Sequence, residues 1–592
     1  MVAASFLREQ PIEMLLALIQ QRPFAAAFTL FILYITYKLA IKPILFPSPY
    51  RYLPRPQRAS YILGQRVVEA KGLTYLDPTT SQPVTISGPG DVVKHYARTL
   101  NTSVFVFPEP FGGETIFISD PYALNAIFSD IDKFQSDLLR SSIIEFIVGN
   151  GIVTRYGDAH RRQRKLMAPA FTPAHLKGLT PVFCKYADLM CSKITSSLTN
   201  SKDEEEAQKV DFAEYLDCTM LDIIGMAGFN YPCLALEKGR DGSELSSAFN
   251  SVNQAAIDFG LGRAIHLGMS ALLYPRAATW PLSEANRRIA NVNKVMDRIT
   301  MGIVKKAKSS VLQEGEDLGD KKDLLSLLIK SNLTAGMSER MTDKEISGQI
   351  QTFMFAGYET SAVTTSWALY FLSQNPQVQD KLREIIKQTI KERKGVGLEE
   401  LSASVMDYDD VWCEEFKYLD WILAETLRLC PPVPGNDREA MEDVVVPLMH
   451  PVRLTNGETT SKLVIKKGSR LTIGIKTVNY DTRLFGPDAD EFRPERFGDL
   501  PSIHGEAKVP PYGTYSFVGG PKSCIGAKFA LTEMKVLLIT IVARFQLSPE
   551  PGVTIRQHQA LIVRPRVETA TGESAAGMPL RVKRLPHKTI GA

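Results

Sequence analysis

Hydrophobic and polar positions divide the 592-residue chain into stretches of different period. The first has no period at all. Phe24 to Ile41 reads FAAAFTLFILYITYKLAI, a continuous apolar run whose one charge, Lys38, sits near its end. As a helix it spans about 27 Å, close to the hydrocarbon thickness of a bilayer. Pro43, Pro47, Pro49, Pro54 and Pro56 follow and predict a stiff extended hinge. Alternating runs at Val104-Phe105-Val106-Phe107 and Thr115-Ile116-Phe117-Ile118 then predict strands. From about Pro121 to Leu429 apolar residues recur at helical spacing. The clearest helix spans Ser338 to Leu372; Thr342-Asp343-Lys344-Glu345 supplies a capping box and Asn375-Pro376 a stop. Further helices are expected over 376–393, 414–429 and 525–543. The Gly/Pro-rich chain between Pro431 and Cys524 predicts irregular structure, whereas 560–567 and 579–582 read as strands. The expected class is mostly α with a minor β part.

Composition narrows the picture. Hydrophobic residues make up 44% and charged residues 23%, ordinary for a chain with a large core, which excludes disorder, fibres and many-span transporters. A formal net charge of +4 gives no reason to expect a nucleic-acid partner. No two of the seven cysteines share C-x-x-C spacing, so neither a disulfide framework nor structural zinc is expected.

No small-residue cleavage site follows the apolar run, which is therefore read as an uncleaved membrane anchor. Lys38, Lys42, Arg51 and Arg55 sit at its end or beyond, against Arg8 and Arg22 before it, so the bulk of the chain is expected in the cytosol. The domains read as a short lumenal segment (1–23), a transmembrane anchor (24–41), a proline-rich hinge (42–60) and one large domain (61–592). That topology leaves the sequons Asn101-Thr102-Ser103 and Asn332-Leu333-Thr334 unused.

The most informative stretch is Phe517-Val518-Gly519-Gly520-Pro521-Lys522-Ser523-Cys524-Ile525-Gly526, of the form Phe-x-x-Gly-x-basic-x-Cys-x-Gly. A thiolate that serves as an axial iron ligand must stay ionised in an apolar pocket, and a helix N-terminus just after it favours the anion. Gly520 and Gly526 let backbone and a flat macrocycle approach closely. Phe517 can shield the sulfur, and Lys522 can meet a carboxylate on the cofactor rim.

These residues resemble the haem-binding loop of the cytochrome P-450 superfamily. Four further patterns stand in the family's order. Glu425-Thr426-Leu427-Arg428 is similar to its Glu-x-x-Arg helix, and Phe492-Arg493-Pro494-Glu495-Arg496-Phe497 to its Pro-Glu-Arg-Phe segment. Arg496 would complete an ionic triad with Glu425 and Arg428. Ala356-Gly357-Tyr358-Glu359-Thr360-Ser361 resembles the oxygen-activation segment, where the Thr360 hydroxyl can bond back to the Ala356 carbonyl or leave it for another partner. Gly157 to Arg164 resembles the helix that meets the haem propionates, with His160 and Arg164 in the contacting positions. Arg438 matches another propionate arginine. Two residues depart from the family pattern: Lys522 replaces the usual Arg or His, giving a point charge rather than a fork, and His160 replaces Trp.

The resemblance implies a P-450 fold over 61–592 and haem b (iron protoporphyrin IX) with Cys524 as thiolate and metal ligand. It also implies activation of dioxygen, insertion of one oxygen atom into a lipophilic substrate, and Glu359 with Thr360 arranging proton delivery. No flavin or dinucleotide module follows the loop, so electrons are expected from a separate NADPH-dependent reductase at the endoplasmic reticulum membrane. By family position the substrate meets 136–149, 258–273, Phe353, Ala356 and 433–435, mostly apolar residues that suit a secondary metabolite or xenobiotic. Fungal microsomal members are the most similar. A haem-thiolate isomerase or dehydratase without a reductase, and a non-catalytic haem-binding membrane protein, are the alternatives; the Glu359-Thr360 pair argues against the first, and the retained electron-path and proton-path residues against the second.

Overall fold

The computed structural model describes residues 47–586 except 62–63, 66–67, 69–72, 77–82, 87, 200–205, 249–250, 252–265, 268, 271–273, 315–322, 499–510, 560–561 and 570–573, together with Thr29, Leu33, Thr36, Tyr37 and Leu45. The expected anchor over 24–41 thus lies almost wholly outside the described residues. Among those residues, no helix is long and apolar enough to cross a membrane.

The longer helices are α1 (Asp91–Thr99), α2 (Pro121–Ser129), α3 (Leu138–Val148), α4 (Gly157–Met167), α5 (Pro173–Thr199), α6 (Phe212–Ile223), α7 (Glu284–Glu314), α8 (Leu324–Thr334), α9 (Asp343–Gln374), α10 (Pro376–Lys394), α11 (Lys417–Leu429) and α12 (Ala527–Arg544). Helix α9 runs through the middle of the helical core, packed against α6, α7, α11 and α12. Its start follows the expected chemistry: Thr342 Oγ1 accepts from Glu345 N at 3.2 Å, and Glu345 Oε2 accepts from Thr342 N at 2.9 Å. Helix α12 begins at Ala527, two residues later than the sequence suggests, with Gly526 as its cap.

The strands are β1 (Leu73–Leu76), β2 (Pro83–Ile86), β3 (Val104–Pro108), β4 (Glu114–Ile118), β5 (Phe134–Gln135), β6 (Gln208–Asp211), β7 (Asn436–Ala440), β8 (Val444–Arg453), β9 (Thr459–Ile465), β10 (Arg470–Ile473), β11 (Phe545–Pro549), β12 (Val553–Gln559), β13 (Val563–Thr569), β14 (Ser574–Ala576) and β15 (Pro579–Arg584). The five-stranded sheet has the order β3-β4-β10-β7-β5, with β4 and β10 parallel and Leu471 opposite Ile116. A second core lies against this sheet, built from Val104, Ile116, Leu471 and Phe485 among others.

The expectation of irregular chain between Pro431 and Cys524 is corrected: β7 to β10 lie there. Val446, Leu463 and Ile465 are buried on one face of the β8–β9 hairpin, while Val445 and Val464 pair across its outer face. Pro447 and Pro451 are tolerated because the ladder is irregular between Pro447 and Val452. Prolines therefore mark a bulge here, not the end of a strand.

The described end of the proline-rich segment is docked rather than free. Tyr50 and Leu53 are buried, the Tyr50 hydroxyl accepts from Lys466 N at 2.8 Å, and Val106 N donates to Pro54 O at 2.9 Å. Of the two sequons, Asn332 is buried, with its amide bonded to Met341 N and O, whereas Asn101 is exposed at a turn.

Candidate functional site

Cys524 is presented by a loop between two short turns and α12. Tyr515–Phe517 and Gly520–Lys522 are single 3₁₀ turns, and Cys524 N donates to Phe517 O at 2.9 Å, which closes the loop. Gly520 has φ +67°, and a Cβ there would lie 2.0 Å from Phe128 O at the end of α2. Only glycine allows so close an approach. Val518, a β-branched residue at φ 60°, ψ 176°, holds a conformation that costs about 1–3 kcal/mol and so needs the surrounding contacts to persist.

Cys524 is exposed, whereas five of the other six cysteines are buried and Cys413 is half-buried. Burial nevertheless raises the Cys524 thiol, opposed by the Gly526 N–H and the nearby Arg164 charge. With the Phe171 ring beside Gly526 and Arg164 reaching across to Ser523, this accessible surface lies in a recess between the sulfur loop and α4. The expected help from the start of α12 is present through Gly526 but does not outweigh desolvation; a bound metal ion would complete the ionisation. The buried thiols of Cys184, Cys191, Cys218 and Cys430 are each pushed up to about 12, which makes them inert.

The recess is framed by cations without counter-ions. Arg164 reaches from α4 to Ser523 O at 2.7 Å and Ser523 Oγ at 3.2 Å. Lys522 Nζ donates to Val153 O at 3.0 Å and Arg155 O at 2.7 Å. Arg438, on β7, is 8% exposed and donates to Asp437 O at 3.0 Å and to Asn436 Oδ1. Among the described residues, none of the three has a carboxylate within ion-pair distance. Burial, then Arg438 and Arg164, push the Lys522 ammonium down to about 7. His160, 1% exposed, is pushed down to about 4 by burial and by Lys522 and Arg164, and its Nδ1 has no partner. Desolvated cations that repel one another fit a ligand that brings its own carboxylates. A thiol at the recess, a glycine-padded backbone and this set of cations together suit a haem with two propionates.

Above the recess, α9 contributes Ala356, which is exposed although Phe353, Met354, Phe355 and Tyr358 around it are buried. The Thr360 hydroxyl donates to Ala356 O at 2.7 Å, the first of the two expected arrangements. Phe171 and Phe353 meet edge to face at 5.4 Å and give the helix an apolar neighbour.

Glu359 is held by Arg564 of β13, which also lies 3.4 Å from Asp217, itself paired with Arg240 at 2.9 Å. Its burial raises the carboxyl pKa and the Arg564 charge opposes the rise. Sequence reasoning missed Arg564, Asp217 and Arg240. Arg564 lies 205 residues from Glu359, and no motif signals the contact.

The triad forms as expected. Glu425 Oε2 accepts from Arg428 Nε at 2.7 Å and Oε1 from Arg496 Nε at 2.8 Å, all fully buried. Spare donors of both arginines go to backbone carbonyls of Asn479, Phe485, Asp488, Ala489 and Glu491. This cluster fixes the chain that precedes the sulfur loop, from Asn479 to Arg496, and among the described residues makes no hydrogen bond to the loop itself.

Of the expected substrate stretches, 136–149 is largely α3, and 258–273 lies outside the described residues except at His266, Leu267, Met269 and Ser270. A cavity of about 580 Å³ is lined by Ser142, Glu145, Phe146 and Gly149 of the first of these stretches, together with Asp297 and Lys344.

Comparisons with known proteins agree with this geometry. The family model described as cytochrome P-450 matches residues 106–570. Cytochrome P-450 monooxygenase 205 of Postia placenta is 31% identical over 92% of this chain and 94% of its own length. Cytochrome P-450 monooxygenase claQ of Ampulloclitocybe clavipes is 31% identical over 84% of this chain and 89% of its own. A ganoderic acid synthetase of Ganoderma lucidum is 32% identical over 74% of this chain and 79% of its own.

Proposed function

The chain belongs to the cytochrome P-450 family as a haem-thiolate monooxygenase, and on that premise we propose that it oxygenates a lipophilic secondary metabolite at a membrane, with electrons from a separate NADPH-dependent reductase. The carrying observation is Cys524, the one exposed cysteine, at a recess ringed by the uncompensated cations Arg164, Lys522 and Arg438. Haem with an axial cysteine thiolate supplies dioxygen activation and oxygen insertion.

The chain's own residues bind, orient and exclude water. Arg164, Lys522 and Arg438 neutralise the propionates, and His160 gains a hydrogen-bond partner there. The fully buried triad holds the loop that carries the ligand. The exposed Ala356 would leave room for the group and its substrate against α9, where Phe353 would supply apolar surface. The Thr360 hydroxyl, free to exchange the Ala356 carbonyl for a water, holds a proton donor beside that room. Glu359 replenishes the proton after leaving Arg564.

Support for the substrate class comes from this apolar lining and from the relative named a ganoderic acid synthetase. Membrane attachment rests on the apolar run at 24–41 and on the charges around it, which favour the endoplasmic reticulum with the large domain in the cytosol.

The test is turnover of a panel of terpenoid, steroid, polyketide and aromatic compounds by the full-length protein with NADPH and a reductase, under isotopically labelled dioxygen. One labelled oxygen in a product, dependent on both NADPH and reductase, is the expected result. Product formed equally well without the reductase would contradict the proposal.

A further inference from the structure

The sulfur loop has a second attachment besides its own turns, and it runs through a residue outside every motif. Asn479 ends the short helix Ile475–Asn479 and is fully buried. Its backbone carbonyl accepts from Arg428 Nη1 of the triad at 2.9 Å. Its side chain faces the other way. Oδ1 accepts from Tyr515 N at 3.1 Å, and Nδ2 donates to Ser516 Oγ at 3.1 Å. Ser516 in turn donates its hydroxyl proton to Leu427 O of α11 at 2.7 Å.

The donor and acceptor logic permits one orientation of this amide. Tyr515 N can only donate, so it requires an oxygen. Ser516 has committed its single proton to Leu427 O, so its oxygen must accept, and it requires the NH₂ group. The next residue, Phe517, offers the carbonyl that accepts from Cys524 N at 2.9 Å. An unbroken path of hydrogen bonds and one peptide link therefore joins Arg428 to the backbone of Cys524.

We propose that Asn479 is a positioning residue for the axial sulfur: it transmits the rigidity of the Glu425, Arg428 and Arg496 cluster to the turn that presents Cys524. The triad alone reaches only the chain around residues 479–491. Without the Asn479 amide, Tyr515 N and Ser516 Oγ lose partners inside the protein, and the strained turn at Val518 has less to hold it. This inference rests on the haem-thiolate reading.

The test compares the parent with Asn479→Asp, Asn479→Leu, Ser516→Ala and Ser516→Thr as full-length, haem-loaded proteins. Two quantities are followed during mild warming: the red-shifted Soret band of reduced, carbon-monoxide-treated protein, which requires sulfur ligation, and unfolding by far-ultraviolet circular dichroism. Asn479→Asp keeps the acceptor for Tyr515 N, loses the amide donor to Ser516 and adds a buried acid, so it is read beside Ser516→Ala, which removes the same bond without a charge. Both Asn479 variants are expected to lose the red-shifted band at least about ten-fold faster than the parent, well below the temperature of unfolding. Ser516→Ala shifts the same way, and Ser516→Thr, which retains the hydroxyl, behaves as the parent.

Loss of the band at the parent rate in Asn479→Asp and Ser516→Ala overturns the inference. So does loss of the band strictly in step with unfolding, which is what a merely structural residue gives. Should Asn479→Leu fail to fold, Asn479→Asp and the Ser516 pair decide. A parent that shows no red-shifted band overturns the haem-thiolate reading instead.

Discussion

Glu359 of α9 and Arg564 of β13 form a buried ion pair, with Arg564 Nε donating to Glu359 Oε1 at 2.5 Å and Glu359 2% exposed. The pair ties the C-terminal hairpin to the helix that covers the recess. The neighbouring Thr360 hydroxyl spends its donor on Ala356 O.

Arg564→Leu leaves Glu359 without its cation and Asp217 with Arg240 alone. Removing one partner of a buried pair costs about 3–5 kcal/mol, whereas replacing both with apolar residues is often near neutral. Denaturant unfolding should therefore show a large loss for Arg564→Leu and a much smaller one for Arg564→Leu with Glu359→Leu. Equal losses in the two proteins would show that the pair is not what holds this contact.

Thr360→Ala removes one hydroxyl and substitutes the better helix former, so haem content and substrate binding should persist. Product should fall by about 10²–10⁴-fold while NADPH oxidation continues and hydrogen peroxide accumulates. Product at the parent rate with unchanged coupling would remove Thr360 from proton delivery.

Much of this was legible in the chain, for identifiable reasons. The sulfur loop and the capping box of α9 depend on residues close in sequence, and the triad, whose Arg496 lies 71 residues from Glu425, was legible through the family resemblance; all three form as expected. The partner of Glu359 was invisible because it is set by tertiary packing of a strand 205 residues away. Strands β7 to β10 were read as irregular because prolines at a bulge look like strand breakers. Asn479 was invisible because both its contacts are with backbone or a serine, which leave no pattern.

Glu533 on α12 is fully enclosed with no cation beside it, and burial drives its carboxyl pKa well above the usual range, opposed only in part by Ser361. The folded state thus holds a proton that the unfolded state releases above about pH 4.3. Stability falls as pH rises from there until the folded pKa is reached, by about 1.4 kcal/mol per pH unit for one proton. Glu533→Gln should lift stability at neutral pH, with a gain that grows from about pH 5 upward and vanishes below the unfolded pKa. A constant difference across the pH range in denaturant unfolding would show that Glu533 is ionised in the fold.

Asn332 is enclosed by Met341, so it cannot report on topology. Asn101 is exposed and can. With the large domain on the cytosolic side, glycosidase treatment of the microsomal protein should leave its mass unchanged. A mass decrease that disappears in Asn101→Gln would place the domain in the lumen.

The central claim is that Cys524 alone ligates the haem iron, and it is tested most directly by the absorption spectrum of reduced, carbon-monoxide-treated protein. Cys524→Ala should abolish the red-shifted Soret band, whereas Ser at position 184, 191, 218, 233, 413 or 430 should leave it in place, since those thiols are buried or half-buried with raised pKa values. Persistence of the band in Cys524→Ala, or its loss on changing any of the other six, would contradict the assignment.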